Sequence, residues 1–153
     1  MGYYTCYDLG VPKPTKDCRL TDEQIAEKLV EAFASLPYFE YESDKLRSLW
    51  ARRKEQVDCE WLADAADAVN EVLFYPDNLK WYDYDKDMNS VSSGIPSVYF
   101  ILYGDGEDSD DNWRSYFLNG RERRFNAVIP DQDMAAQVER ELRPANYLSN
   151  GGF

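Results

Sequence analysis

The chain of 153 residues contains no histidine, and this absence removes several kinds of chemistry. Histidine is the commonest general base and the commonest ligand of transition metals, and a Ser-His-Asp triad cannot form without it. Cysteine is scarce as well, because Cys6, Cys18 and Cys59 are widely spaced and form no C-x-x-C pair. The spacing argues against a zinc site and a disulfide framework, so we interpret the three residues as reduced thiols.

Long apolar runs and basic residues are also in short supply. No run approaches the ~18 apolar residues of a membrane helix, and the N-terminus lacks the pattern of a signal peptide. We therefore expect a cytoplasmic protein. The 17 Lys and Arg residues face 29 Asp and Glu residues, which gives a net charge of −12. This charge opposes direct binding to nucleic acid or to an anionic membrane, and it favours a protein partner with a basic surface.

The most informative stretch runs from Pro96 to Ile129, where turn residues separate three apolar and aromatic runs. The pattern predicts a three-stranded antiparallel meander. Asn119-Gly120 is typical of a two-residue type I′ turn, whose twist matches that of paired strands. This turn predicts that Leu118 opposes Arg121 and that Arg114 opposes Phe125. We expect the face that carries Phe125 to be the buried one, with Arg114 at its rim.

Helical spacing recurs on both sides of this meander. Thr21 and Gln24 form a capping box before an amphipathic helix that Pro37 ends. Further helices are predicted at Asp44–Gln56, at Glu60–Phe74 and after Asp131, and short strands at Gly2–Val11 and Leu79–Tyr84. The predicted fold is α+β, an antiparallel sheet of four or five strands with helices packed on one face. Residues 1–148 form a single domain in this prediction, and 149–153 form a flexible tail.

Acidic residues concentrate between Asp77 and Asp111, where nine carboxylates face only Lys80 and Lys86. Asp83, Asp85 and Asp87 are spaced like the start of a calcium loop, but the Gly and the closing Glu of such a loop are missing. A two-metal hydrolase needs carboxylates that converge from rigid elements. We therefore predict no catalytic residue, no metal site and no cofactor, and we keep a metal-dependent hydrolase built on these aspartates as an alternative.

The remaining interpretation is an acidic surface that contacts a basic partner, with aromatic rings nearby as anchors. If the carboxylates form one ridge, they resemble a phosphate backbone to a basic groove. The opposing interpretation is two solvated loops in a soluble protein. The predicted partner-binding residues are Asp83, Tyr84, Asp85, Asp87, Tyr103, Asp105, Glu107, Asp108, Asp110, Asp111 and Trp113.

Two segments carry a resemblance to a known group of proteins. The chain opens Met-Gly-Tyr-Tyr-Thr, and a later segment reads Gly104-Asp-Gly-Glu107 followed by Trp113-Arg-Ser-Tyr-Phe117. Together they resemble small uncharacterised proteins encoded by bacteriophages and prophages. The resemblance covers the first strand and roughly residues 79–129. It implies a phage-encoded accessory protein that works inside a bacterial cell, where such small acidic proteins often bind a host enzyme or defence complex stoichiometrically.

These observations lead to one functional hypothesis and two alternatives. The hypothesis is a non-enzymatic acidic binding protein that inhibits a host factor, as an anti-CRISPR-like inhibitor or a nucleic-acid mimic that blocks a defence effector. The first alternative is an immunity-type or housekeeping interaction domain. The second is the metal-dependent hydrolase considered above.

Overall fold

The computed structural model describes residues 4–76, 78–106, 112–126 and 141–142. In this part of the chain, four α-helices pack against a five-stranded antiparallel sheet, which confirms the predicted α+β fold. The strands are β1 Cys6–Leu9, β2 Lys13–Pro14, β3 Val98–Asp105, β4 Asn112–Leu118 and β5 Arg121–Asn126. The helices are α1 Asp22–Ala34, α2 Ser43–Lys54, α3 Trp61–Val69 and α4 Tyr84–Gly94.

The sheet has the order β1-β3-β4-β5, and the short β2 pairs with β3 beside β1. The predicted turn between β4 and β5 is confirmed, since Asn119 and Gly120 have φ angles of 53° and 78°. The predicted register is also confirmed: Leu118 pairs with Arg121, and Arg114 pairs with Phe125. The turn alone therefore determined the alignment of this hairpin.

The core between sheet and helices lies on the opposite face of the hairpin from the predicted one, although Tyr116 and Leu118 of the predicted face are buried as well. Trp113 and Phe117 of β4 belong to the core between sheet and helices, together with Phe100 of β3. The expected face, with Phe125, lies on the other side of the sheet. Charged residues are tolerated on the helix side because β5 is the last strand of the order and α4 supplies polar partners. The Tyr84 hydroxyl of α4, for example, accepts a hydrogen bond from Arg124, and Ser115 of the neighbouring β4 donates one to Glu122 Oε2.

The helical layer begins as predicted. Thr21 caps α1, its hydroxyl accepting from the Gln24 N–H at 3.1 Å, while Gln24 Oε1 accepts from the Thr21 N–H. α1 ends before Pro37, as predicted, and Pro37 starts a 3₁₀ helix, Pro37–Glu42. The largest side chains of α1 fill the core: Ile25, Leu29 and Phe33.

The predicted long helix Glu60–Phe74 is divided into two parts. After α3 the backbone forms a π-helical turn, Asn70–Phe74. The buried Asn70 side chain makes two hydrogen bonds with Leu9 of β1, accepting from its N–H at 2.7 Å and donating to its carbonyl at 2.8 Å. Asn70 thereby pairs with the outer side of β1 as a further strand would.

Another element differs from its prediction. Leu79 forms only an isolated antiparallel bridge with Thr5, with both N···O distances at 2.9 Å, so the expected strand Leu79–Tyr84 does not form. The residues after it form the helix α4. The predicted helix after Asp131 lies outside the described residues except for the helical residues 141–142, and so does the predicted tail.

None of the helices in the described part of the chain combines the length and the apolar character needed to cross a membrane.

Candidate partner-binding site

The first turn of α4 lies at the end of the sheet where β3 ends and β4 begins. The Tyr84 ring stacks on the Trp113 ring, with centroids 4.7 Å apart and an interplanar angle of 28°. Trp113 in turn lies against Gly104, where an added Cβ would be only 2.1 Å from the indole Cε2. Gly104 therefore makes room for Trp113, and Trp113 fixes the position of the α4 N-terminus. The start of α4 and the described end of β3 at Asp105 thus lie at the same end of the sheet.

The described aspartates of these regions do not all share one face. We call Asp83, Asp85 and Asp87, at the start of α4, the aspartate turn. Asp105 is exposed at the end of β3 and pairs in register with Cys6 and Asn112, on the side of the sheet away from the helices. Four further predicted residues lie outside the described part of the chain: Glu107, Asp108, Asp110 and Asp111.

Acids on the sides of α1 and α3 that face α2 are paired with bases. Arg47 forms an ion pair with Glu31 at 2.8 Å and holds the pKa of that carboxyl below its usual value. Arg53 contacts Asp67 at 2.5 Å and also Glu71, and Lys54 contacts Glu27 at 3.0 Å. The basic residues of α2 therefore face acids of α1, α3 and the π-helical turn.

The aspartate turn differs from those helices. Within residues 4–76, 78–106, 112–126 and 141–142, neither Asp83 nor Asp85 nor Asp87 forms an ion pair. Asp87 instead accepts a hydrogen bond from the indole Nε1 of Trp81 at 2.7 Å. The excess negative charge of the described chain is therefore locally unmatched at the start of α4.

The three predicted aromatic anchors differ in accessibility. Trp113 is only 8% exposed, and Arg124 lies over its ring at 4.5 Å from the centroid. Arg124 Nη1 also donates to the Tyr84 hydroxyl at 2.7 Å, and burial, followed by the nearby Glu122, raises the pKa of Tyr84. Tyr103 is 39% exposed. Trp113 and Tyr84 thus support the first turn of α4 from the interior, whereas Tyr103 reaches the surface on the side of the sheet away from the helices, as Asp105 does.

The sequence analysis missed a second group of aromatic residues beside the aspartate turn. A cleft of about 450 Å³ is lined by Pro37, Tyr38, Trp81, Tyr82, Asp83 and Asp87, and we call it the tyrosine cleft. Lys80 also lines it, but its Nζ lies over the Tyr4 ring, 4.6 Å from the centroid. The high tyrosine content was the available signal, yet a sequence does not reveal which tyrosines are exposed.

The described residues provide no group of three or more Asp, Glu, Cys or His side chains placed to hold a metal ion. The spacing that suggested a calcium loop is part of a helix instead. On a helix Asp83 and Asp87 share one face and Asp85 does not, so their carboxylates do not converge as they do around a loop.

Comparison of the chain with protein-family models, with curated proteins and with solved structures finds no match.

Proposed function

We propose that this protein is a non-enzymatic binding protein whose aspartate turn contacts a basic surface of a protein partner. The observation that carries the proposal is the uneven pairing of charge. The acids of α1 and α3 that face α2 have basic partners there, whereas Asp83, Asp85 and Asp87 have none among the described residues. Unmatched carboxylates at a surface attract a basic partner and increase its association rate.

The geometry around the aspartate turn favours binding. The stack of Tyr84 on Trp113 holds the first turn of α4 against the sheet, so the carboxylates sit on a rigid support. A rigid contact surface loses less conformational entropy when a partner binds. Tyr82 is exposed and lines the tyrosine cleft together with Asp83 and Asp87, so it supplies aromatic contact area close to the charges.

Combined with the resemblance to phage proteins, these features favour an inhibitor that acts in the cytoplasm of a bacterial host. Its target would be a factor with a basic groove, such as a nucleic-acid-binding defence effector of the CRISPR type. Asp83 and Asp87, which share one face at the start of α4, would then occupy positions that phosphates take in the natural ligand. An inhibitor that occupies the groove acts with one chain per target molecule. A hydrolase, in contrast, would convert many substrate molecules per chain.

The test is co-purification of the tagged chain from bacterial cells, with the D83N/D85N/D87N variant beside the wild type. We expect the wild type to retain a bacterial protein and the variant to lose it. The matched control, E23Q/E55Q/D58N, neutralises three exposed acids elsewhere and removes the same net charge. This control variant should retain the partner.

The activity of the retained protein provides the second measurement. We expect its inhibition to be complete at one equivalent of the wild-type chain and to weaken as salt is raised. Equal retention of the bacterial protein by both triple variants would contradict the proposed function. Complete inhibition by much less than one equivalent of the chain would contradict it as well.

A further inference from the structure

The tyrosine cleft has the construction of a receptor for a cationic side chain. Two segments far apart in the sequence form it, the start of the 3₁₀ helix and the chain from Lys80 to Asp87. Trp81 is only 2% exposed and forms the buried base, while Tyr82 is 67% and Tyr38 42% exposed at the surface. Burial raises the pKa of Tyr38, so its ring is a neutral phenol at neutral pH.

The base of the cleft is held in place by several contacts. The Trp81 indole donates to Asp87 Oδ2 at 2.7 Å, which fixes both the ring and the carboxylate. Phe39 meets Trp81 edge to face, with centroids 5.1 Å apart, and Tyr38 lies nearly parallel to it with centroids at 6.3 Å. The aromatic surface and the carboxylate are therefore in position before any partner binds.

The charge in the cleft is negative. Asp83 and Asp87 line it, and Lys80 is the single basic residue among its described lining residues. The Lys80 ammonium already lies over Tyr4. This arrangement leaves the Tyr38 and Tyr82 side of the cleft next to two carboxylates, where a second cation gains both an aromatic face and an opposite charge.

We propose that the tyrosine cleft binds an arginine side chain of a protein partner, with the guanidinium against Tyr38 and Tyr82 and its N–H groups directed at Asp83 and Asp87. Arginine suits this cleft better than lysine, because a planar guanidinium stacks on aromatic rings and donates along fixed directions to carboxylates. The proposal rests on the proposed function, since it names the side chain of the partner that the site takes.

The test uses the full chain and defined peptides in isothermal titration calorimetry. The probe is a short arginine-glycine peptide, and its controls are the same peptide with lysine or with citrulline at each arginine. Citrulline keeps the planar shape but lacks the charge. We expect the arginine peptide to bind, the lysine peptide to bind more weakly, and the citrulline peptide to give no measurable heat.

Variants of the chain separate the cleft from general attraction to an acidic protein. Y82A and Y38A should each weaken binding of the arginine peptide about two- to fivefold, the size of a cation–π contact at an exposed site. Y41A is the matched control, because Tyr41 lies on the same 3₁₀ helix, is 90% exposed and does not line the cleft. It should bind like the wild type. Circular dichroism confirms that each variant is folded.

Equal binding of the arginine and citrulline peptides, equal binding of the arginine and lysine peptides, or wild-type affinity in Y82A would overturn the assignment. Failure of this proposal is distinguishable from failure of the proposed function. If a bacterial partner depends on the aspartate turn but not on Tyr82, only the arginine cleft is wrong. If the peptide requires Tyr82 but no bacterial protein is retained through the aspartates, only the proposed function is wrong.

Discussion

Single residues determine the position of the candidate site, and Gly104 is the clearest example. Its missing side chain admits the Trp113 indole, on which Tyr84 stacks. Arg124 then covers both rings. A residue chosen in the sequence as a surface anchor, Trp113, is therefore part of the internal support, and the reason is the close approach that a glycine permits.

G104A should destabilise the fold by about 1–3 kcal/mol, because the new Cβ would lie 2.1 Å from Trp113 Cε2 and the indole must move. Urea unfolding followed by circular dichroism measures the loss. G94A is the matched control, since a Cβ at Gly94 meets no atom within 4 Å. It should stay within about 1 kcal/mol of the wild type, on the stabilising side. Equal stability of the two variants would show that Trp113 adapts at no cost.

At the scale of elements, contacts between segments that are distant in the sequence modify the helices that the sequence pattern predicted. Within the predicted helix Glu60–Phe74, the α-helix ends at Val69. The π-helical turn that follows directs the Asn70 side chain at β1. The basic helix α2 also makes contacts between distant segments, since Arg47 and Arg53 join it to α1 and α3. The sequence shows that α2 is rich in basic residues, but it does not show which acids those residues contact.

N70A is expected to lower the free energy of unfolding by about 2–4 kcal/mol, because it leaves the buried N–H and carbonyl of Leu9 without partners. S90A is the control, since Ser90 is exposed on α4. Denaturant titration at neutral pH distinguishes them, and a loss no greater than that of S90A would contradict the role of Asn70.

N70D provides a pH-dependent version of the same test. Its carboxylate can accept from the Leu9 N–H but cannot donate to the Leu9 carbonyl. The protonated form donates again, so the folded state favours protonation of the new carboxyl. Its stability deficit should therefore shrink as the pH falls through the titration of that group and grow as the pH rises.

The whole molecule carries a net charge of −12, so its acids outnumber the bases that could form ion pairs with them. Exposed pairs such as Arg47 with Glu31 contribute little to stability, because water and salt screen them. Self-repulsion among the remaining acids acts over the whole surface and opposes the compact state. The molecule is thus more stable where that repulsion is screened.

The midpoint of urea unfolding should rise as NaCl is increased from ~0.1 M to ~1 M, since the Debye length shortens from ~10 Å to ~3 Å. R53Q removes the basic residue that contacts Asp64, Asp67 and Glu71. Its midpoint should rise more steeply with salt, because less attraction is left to be screened. A midpoint that falls with salt in the wild type would mean that ion pairs outweigh the repulsion.

The sequence by itself determined the features whose free energy arises within a few neighbouring residues. The Asn119-Gly120 turn set the register of β4 and β5, and Thr21 with Gln24 set the start of α1, because both act through local backbone geometry and short hydrogen bonds. Hydrophobic periodicity was sufficient for the α+β class, since it shows which elements need a covering layer.

Tertiary structure alone decided which side of the hairpin is buried, which acids are paired and which tyrosines are exposed. Each of these depends on residues remote in the chain: α4 covers Trp113, α2 supplies bases to α1 and α3, and the tyrosine cleft joins Tyr38 to Tyr82 and Asp83. Burial and charge pairing are properties of the packed neighbours of a side chain, and those neighbours are brought together only when the chain folds.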